Sequence, residues 1–237
     1  MGKDSSKDRP SRPSNSRKFG PSQASVRVAP GQTEEQVLAV MRSILGRPRA
    51  ALREAANLAG APDDAVVSVA VAARHGRRII ESIAQNSVMR IEVSLQTRSD
   101  GRPVLVNEQV DVIPVAQRHG VGTTFVGRQV EQAVRLGIVE IRAYAVRWDQ
   151  MGNVGYLVWP LLGFDGPFPP GFIDRLPPEL AAARQVSDLM KTPEGRVWWI
   201  RNGDDINLTF DLSPGSPARR RFRAYLRRKS FPRTGPE

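Results

Sequence analysis

Six consecutive residues, Gln117-Arg118-His119-Gly120-Val121-Gly122, combine side-chain types suited to holding a phosphate. Apolar residues at helical spacing follow, and a helix that starts here offers backbone N–H groups without internal partners where its dipole favours negative charge. Gly120 and Gly122 keep Cβ atoms out of an anion's way, Gln117 is placed to brace the loop, and Arg118 to meet phosphate. Two glycines before a helix also serve plain turn chemistry. Standard nucleotide loops do not fit: Phe125 stands where a dinucleotide fold needs its third glycine, and no Gly-Lys-Ser or Gly-Lys-Thr occurs.

Acid–base candidates flank this loop. Glu108 and Asp111 precede it on a strand-like run, where their odd spacing places them on opposite faces, so only one is expected to face a cleft. Tyr156 carries a phenol downstream. His119 lies inside the loop and His75 beside Gly76 in a turn, and these are the only histidines. With no cysteine and no Asp/Glu cluster at calcium-loop spacing, no metal site is expected, and disulfides and a cysteine nucleophile are excluded. Trp198-Trp199 reads as core closure in preference to a base-stacking platform.

The elements that must position these residues follow from periodicity. Thr33-Glu34-Glu35-Gln36 is a capping-box pattern ahead of a helix through Val37, Val40, Met41, Ile44 and Leu45, and a second helix is expected over 48–58. Strands are expected over 66–72, 77–84, 89–97 and 104–113, with a hairpin turn at Arg98-Ser99-Asp100-Gly101. After the loop come a helix over 121–136 ended by Gly137, a strand over 138–146, a short helix within 153–162 and helices over 179–190 and 193–201. A strand over 206–212 and an arginine-rich helix over 218–229 complete the series.

This order resembles the GNAT superfamily of N-acetyltransferases, whose pyrophosphate motif is Gln/Arg-x-x-Gly-x-Gly/Ala. Gln117, Gly120 and Gly122 match its three fixed places, and the stretch from Gly155 to Gly163-Phe164 is similar to a second landmark, a short helix closed by Gly-Phe. The resemblance implies an α/β fold with a central mixed, mainly antiparallel sheet flanked by helices. It implies acetyl-CoA as cosubstrate, with pantetheine in a gap between two splayed strands beside Asp111, Val112 and Ile113. The diphosphate would lie on Arg118, His119, Gly120, Val121, Gly122 and Thr123. Glu108 is then the expected base and Tyr156 the expected acid, although the family's usual tyrosine place, four residues before the glycine, holds Trp159. The implied reaction moves acetyl to an amine acceptor, small molecule or protein.

Charge distribution divides the chain. The net charge is +11, but residues 1–30 carry seven Lys/Arg against two Asp, and residues 216–237 carry eight against one Glu, which leaves the body near neutral. Residues 1–30 are expected as a disordered basic tail, 31–60 as an N-terminal helical lobe, 61–215 as the main domain and 216–237 as an arginine-rich helix or tail. No apolar run is long enough for a membrane span, and a cytoplasmic protein without membrane contact is expected. The alternative to catalysis is a silent GNAT-like interaction module whose basic tails contact nucleic acid or an acidic partner.

Overall fold

The computed structural model describes residues 19–117, 119–148 and 153–230. Strand β1 (Ser25–Val28) leads into helices α1 (Glu34–Leu45) and α2 (Leu52–Leu58). A meander follows: β2 (Val66–Arg74), β3 (Arg77–Gln85), β4 (Met89–Thr97) and β5 (Pro103–Val112). Helix α3 (Val121–Leu136) then returns the chain to β6 (Glu140–Ala145). Next come a short hairpin of β7 (Arg147–Trp148) and β8 (Asn153–Val154), and helix α4 (Gly155–Leu161). Helices α5 (Val186–Leu189) and α6 (Pro193–Asn202), strand β9 (Ile206–Asp211) and helix α7 (Pro217–Ser230) complete the fold.

Seven strands form one mixed sheet in the order β1-β2-β3-β4-β5-β6-β9. Pairing is antiparallel from β2 to β5 and between β6 and β9, and parallel for β1–β2 and β5–β6. Parallel β5 and β6 need a crossover, and α3 supplies it. One sheet face, carrying Val67, Ile80, Val93, Leu105, Ile141 and Phe210, is buried in the core shared with the helices. The other carries Glu81, Arg90, Glu92, Gln96, Glu108 and Arg142.

The Thr33 capping box forms as expected: Gln36 N–H donates to Thr33 Oγ1 at 3.3 Å, and Thr33 N–H to Gln36 Oε1 at 2.9 Å. The second helix starts at Leu52, later than expected, because Ala51 N–H is capped by the Glu54 carboxylate at 3.3 Å. Val37 and Met41 of α1 and Ala56 and Leu58 of α2 enter the same core as the sheet, so the described helices are part of one body and make no separate lobe.

The expectation of a tail to residue 30 is corrected from Phe19 onward; residues 1–18 lie outside the described part. Phe19 stacks on Phe222, Ser22 N–H donates to Asn57 Oδ1 at 2.8 Å, and β1 pairs with β2 through its backbone. Ordering there comes from hydrogen bonds and one partly buried aromatic, with little apolar side-chain area to announce it. Residues 217–230 likewise join the fold, since Ala218 and Phe222 are buried in the core. The helix expected over 179–190 is reduced to the short α5. Leu180 lies in a 3₁₀ turn begun by Pro178, and the Asp188 carboxylate takes the N–H groups of Arg184 and Gln185 in a local cap.

Candidate functional site

Strands β5 and β6 pair only from Val104↔Glu140 to Asn107↔Ala143. Beyond that point β5 runs on to Val112 while β6 turns its remaining pairing to β9, so a gap opens between β5 and β6 toward the loop before α3. At the root of the gap β5 carries a bulge: Asn107 pairs with Val93 and Gln109 with Glu92, which leaves Glu108 as the extra residue.

The bulge overturns the expected facing of the two acids. Val106, Gln109 and Asp111 pair with Ser94, Glu92 and Arg90, which alternate on one face of β4. The Glu108 carboxylate accepts from Ser94 Oγ on that same face. Glu108 and Asp111 are therefore on one side of the sheet, because the inserted residue converts their odd spacing into an even one. Asn107 faces the other way, toward Gln129 of α3. The Glu108 carboxylate accepts from the Arg74 guanidinium, Ser94 Oγ and Gln96 Nε2.

The strand also corrects which backbone groups face the gap. Ile113 N–H donates to Val88 O at 3.0 Å, so Ile113 and, by alternation, Asp111 turn their backbone polar groups to β4. Val110 and Val112 face the gap. The Val112 carbonyl accepts from Gln117 Nε2 at 3.1 Å, the bracing contact expected of Gln117.

Between them, Pro114–Ala116 form a 3₁₀ turn, and Gly120, at φ +86°, caps α3 without any side-chain hydrogen bond. No acid lies in the first turn of α3. Among the described residues, a Cβ on Gly122 would meet nothing within 4 Å, and its φ is ordinary. A glycine in a helix's first turn, with neither a backbone requirement nor a packing requirement from the described residues, leaves space over the first N–H groups of α3. His119 is exposed beside this space, and Arg118 falls outside the described residues.

Helix α7 brings a group that sequence reading did not place here. Tyr225 OH lies 3.3 Å from Thr123 Oγ1, Lys229 Nζ lies 3.5 Å from the same oxygen, and Lys229 sits over the Tyr225 ring. The only sequence signal was the basic character of 218–229. A lysine thus lies beside the positive end of α3, a combination that attracts anions.

Tyr156 is placed elsewhere. It is 4% exposed, its hydroxyl donates to Ile200 O at 3.1 Å, and its own carbonyl accepts from Trp199 Nε1 at 2.9 Å. The acid role expected of Tyr156 is therefore withdrawn, since a buried phenol already donating to a main-chain carbonyl pins α4 to α6 and cannot reach a substrate. Trp159 is equally internal, edge-on to Phe125 and Phe164. Gly163-Phe164 does close α4, with Phe164 fully buried against Phe210. Trp198-Trp199 closes the core as expected: Trp199 is fully buried beside Phe172. His75 and Gly76 form the β2–β3 turn.

The site thus belongs to an α/β chain with a mixed seven-stranded sheet flanked by helices, and none of the helices among the described residues is long and apolar enough to cross a membrane. No protein-family model matches the sequence, and no curated protein matches it significantly.

Proposed function

We propose that this chain is an acetyl-CoA-dependent N-acetyltransferase of the GNAT type. The observation that carries the reading is the gap between β5 and β6, rooted at Asn107↔Ala143 with a bulge at Glu108 and ending at a glycine loop on a helix N-terminus. Its parts fit the cosubstrate. The diphosphate would rest on the N–H groups of Val121, Gly122 and Thr123 with Lys229 alongside, and Val110 and Val112 would offer strand groups to the pantetheine amides. Acetyl-CoA would supply an acyl group activated as a thioester. Glu108, on the polar sheet face at the root of the gap, is the base in this reading, and its pair with Arg74 would have to open before it took a proton from the amine.

Isothermal titration of the full chain with acetyl-CoA tests this directly. One saturable site is expected, with binding abolished in Gly122→Glu, whose carboxylate would fill the anion space. No heat at millimolar acetyl-CoA overturns the reading.

A second reading, a silent GNAT-like module, draws on the burial of Tyr156 and Trp159, which leaves no tyrosine at the family's usual acid position. Acetyl-CoA binding without thiol release on any of a panel of small amines and lysine peptides would favour it. So would DNA binding that falls steeply with salt and depends on residues 1–18. Thiol release with any amine favours catalysis.

A further inference from the structure

Away from the gap, α2, α3 and α7 enclose an open groove of about 920 Å³. Its apolar lining comes from Val130 and Val134 of α3, Phe222 and Leu226 of α7, and Phe19, which lies so close to Gly127 that a Cβ there would be 2.4 Å from its ring. Val134 is 39% exposed although it shares the apolar stripe of α3. Guanidinium groups border this lining. Arg53, Arg135, Arg219 and Arg223 all line the groove, with Glu54 and Glu131 as its only acids among the described residues. Arg135 meets Glu54 at 3.8 Å, while among the described residues the Arg53 and Arg219 guanidinium groups meet main-chain carbonyls and no carboxylate.

Two buried polar atoms in this lining, Arg128 Nε and Gln132 Nε2, lack a partner among the described residues. Gln132 is 5% exposed, and its Oε1 accepts from Arg135 Nε at 3.1 Å and from Arg135 Nη2. Those two donors fix the amide's orientation and leave Nε2 as a buried donor with no acceptor among the described residues. Native structures rarely leave such a group unpaired; Nε2 is covered at rest, and a shift of the Gln132 side chain would bring it to a carbonyl or carboxylate in the groove.

We propose that this groove is a docking site for an acidic amphipathic segment of another protein, laid helix-in-groove with its apolar face on the α3–α7 floor and its carboxylates against the arginine rim. Charge selects that occupant. The chain's own residues 1–18 carry six Lys/Arg against two Asp and would be repelled by the rim. A nucleic acid would pair with the arginines, yet Phe222 is buried and Phe19 is stacked on it, so the mainly aliphatic floor offers bases little stacking surface. The proposal is independent of the acetyl-CoA reading, since the groove lies along the side of α3 and the glycine loop lies at its tip.

The test uses the full chain and a fluorescein-labelled helical peptide of about 18 residues, roughly five turns, with leucines at i, i+3, i+4 and i+7 and glutamates elsewhere. A scrambled peptide of the same composition and a single-stranded oligonucleotide serve as comparators. Anisotropy should show saturable binding of the patterned peptide, weakened about tenfold or more by Val134→Glu and by Arg223→Glu. Arg220→Glu removes the same charge from α7 outside the groove and should change affinity less than about twofold. Hydrogen exchange should show peptide-dependent protection across residues 130–135 and 219–226. Equal affinity for the scrambled peptide, displacement of the peptide by the oligonucleotide, equal effects of Arg220→Glu and Arg223→Glu, or no binding at millimolar peptide would each overturn the proposal.

Discussion

Asn107 and Gln129 exchange two hydrogen bonds between buried amides, Gln129 Nε2 to Asn107 Oδ1 at 2.8 Å and Asn107 Nδ2 to Gln129 Oε1 at 3.2 Å. Asn107 is the last β5 residue paired with β6, so this contact fixes α3 to the root of the gap. Gln129 Nε2 also donates to Leu58 O at 2.9 Å, which ties α2 to the same point. Gln129→Leu should cost roughly 1–3 kcal/mol, because it strands the Asn107 amide and the Leu58 carbonyl in the core. Replacing both amides by leucine should recover part of that loss. Urea unfolding of the two single variants and the double variant measures it, and additive losses would show that the pair does not act as a unit.

Gly122 separates stability from binding. Its ordinary φ and open surroundings mean that Gly122→Ala should stabilise the chain by up to about 1 kcal/mol through helix propensity. The same methyl intrudes on the space above the α3 N–H groups and should weaken acetyl-CoA binding. Thermal unfolding and titration on one protein sample give both numbers. A variant that is more stable and binds equally well would remove Gly122 from the anion site.

The four meander strands and α3 were legible in the sequence because each alternates or repeats cleanly and ends at a turn residue such as Gly101 or Gly137. The gap itself was legible only as a family resemblance. Its bulge was not, since Glu108-Gln109 is polar whichever residue is inserted, and register is a property of two strands. β1 was missed because its order depends on backbone pairing to Val66–Val69, about forty residues away. The fate of the Tyr156 hydroxyl was hidden for a similar reason: its acceptor, Ile200 O, belongs to a helix forty-four residues later.

Tyr156→Phe should therefore behave as a core substitution. Losing the bond to Ile200 O should cost about 0.5–1.5 kcal/mol, with some extra penalty for the unpaired carbonyl. Acetyl-CoA affinity should stay within error of the unaltered chain. A Tyr156→Phe protein of unchanged stability whose acetyl-transfer rate fell, and whose pH profile lost its alkaline limb, would return this tyrosine to the reaction.

Asp63 makes the attachment of the N-terminal segment pH-dependent. The Gln23 N–H bonded to its carboxylate at 2.9 Å, assisted by the Arg128 guanidinium at 2.9 Å, holds its pKa below the usual carboxylate value despite opposing desolvation. A carboxylate whose folded pKa is depressed contributes stability above its unfolded pKa, near 3.9, and that contribution is lost as pH falls through the folded value. Asp63→Asn keeps the acceptor for Gln23 and removes the charge. At neutral pH the substitution should cost no more than about 1 kcal/mol, because the Asp63 side chain is more than half exposed and screened by solvent. Urea unfolding of both proteins from pH 7 downward should show the gap between them closing once the pH drops below about 4. A gap that is constant with pH would mean that the hydrogen-bond geometry, and not the charge on Asp63, secures residues 19–24 against α2 and α3.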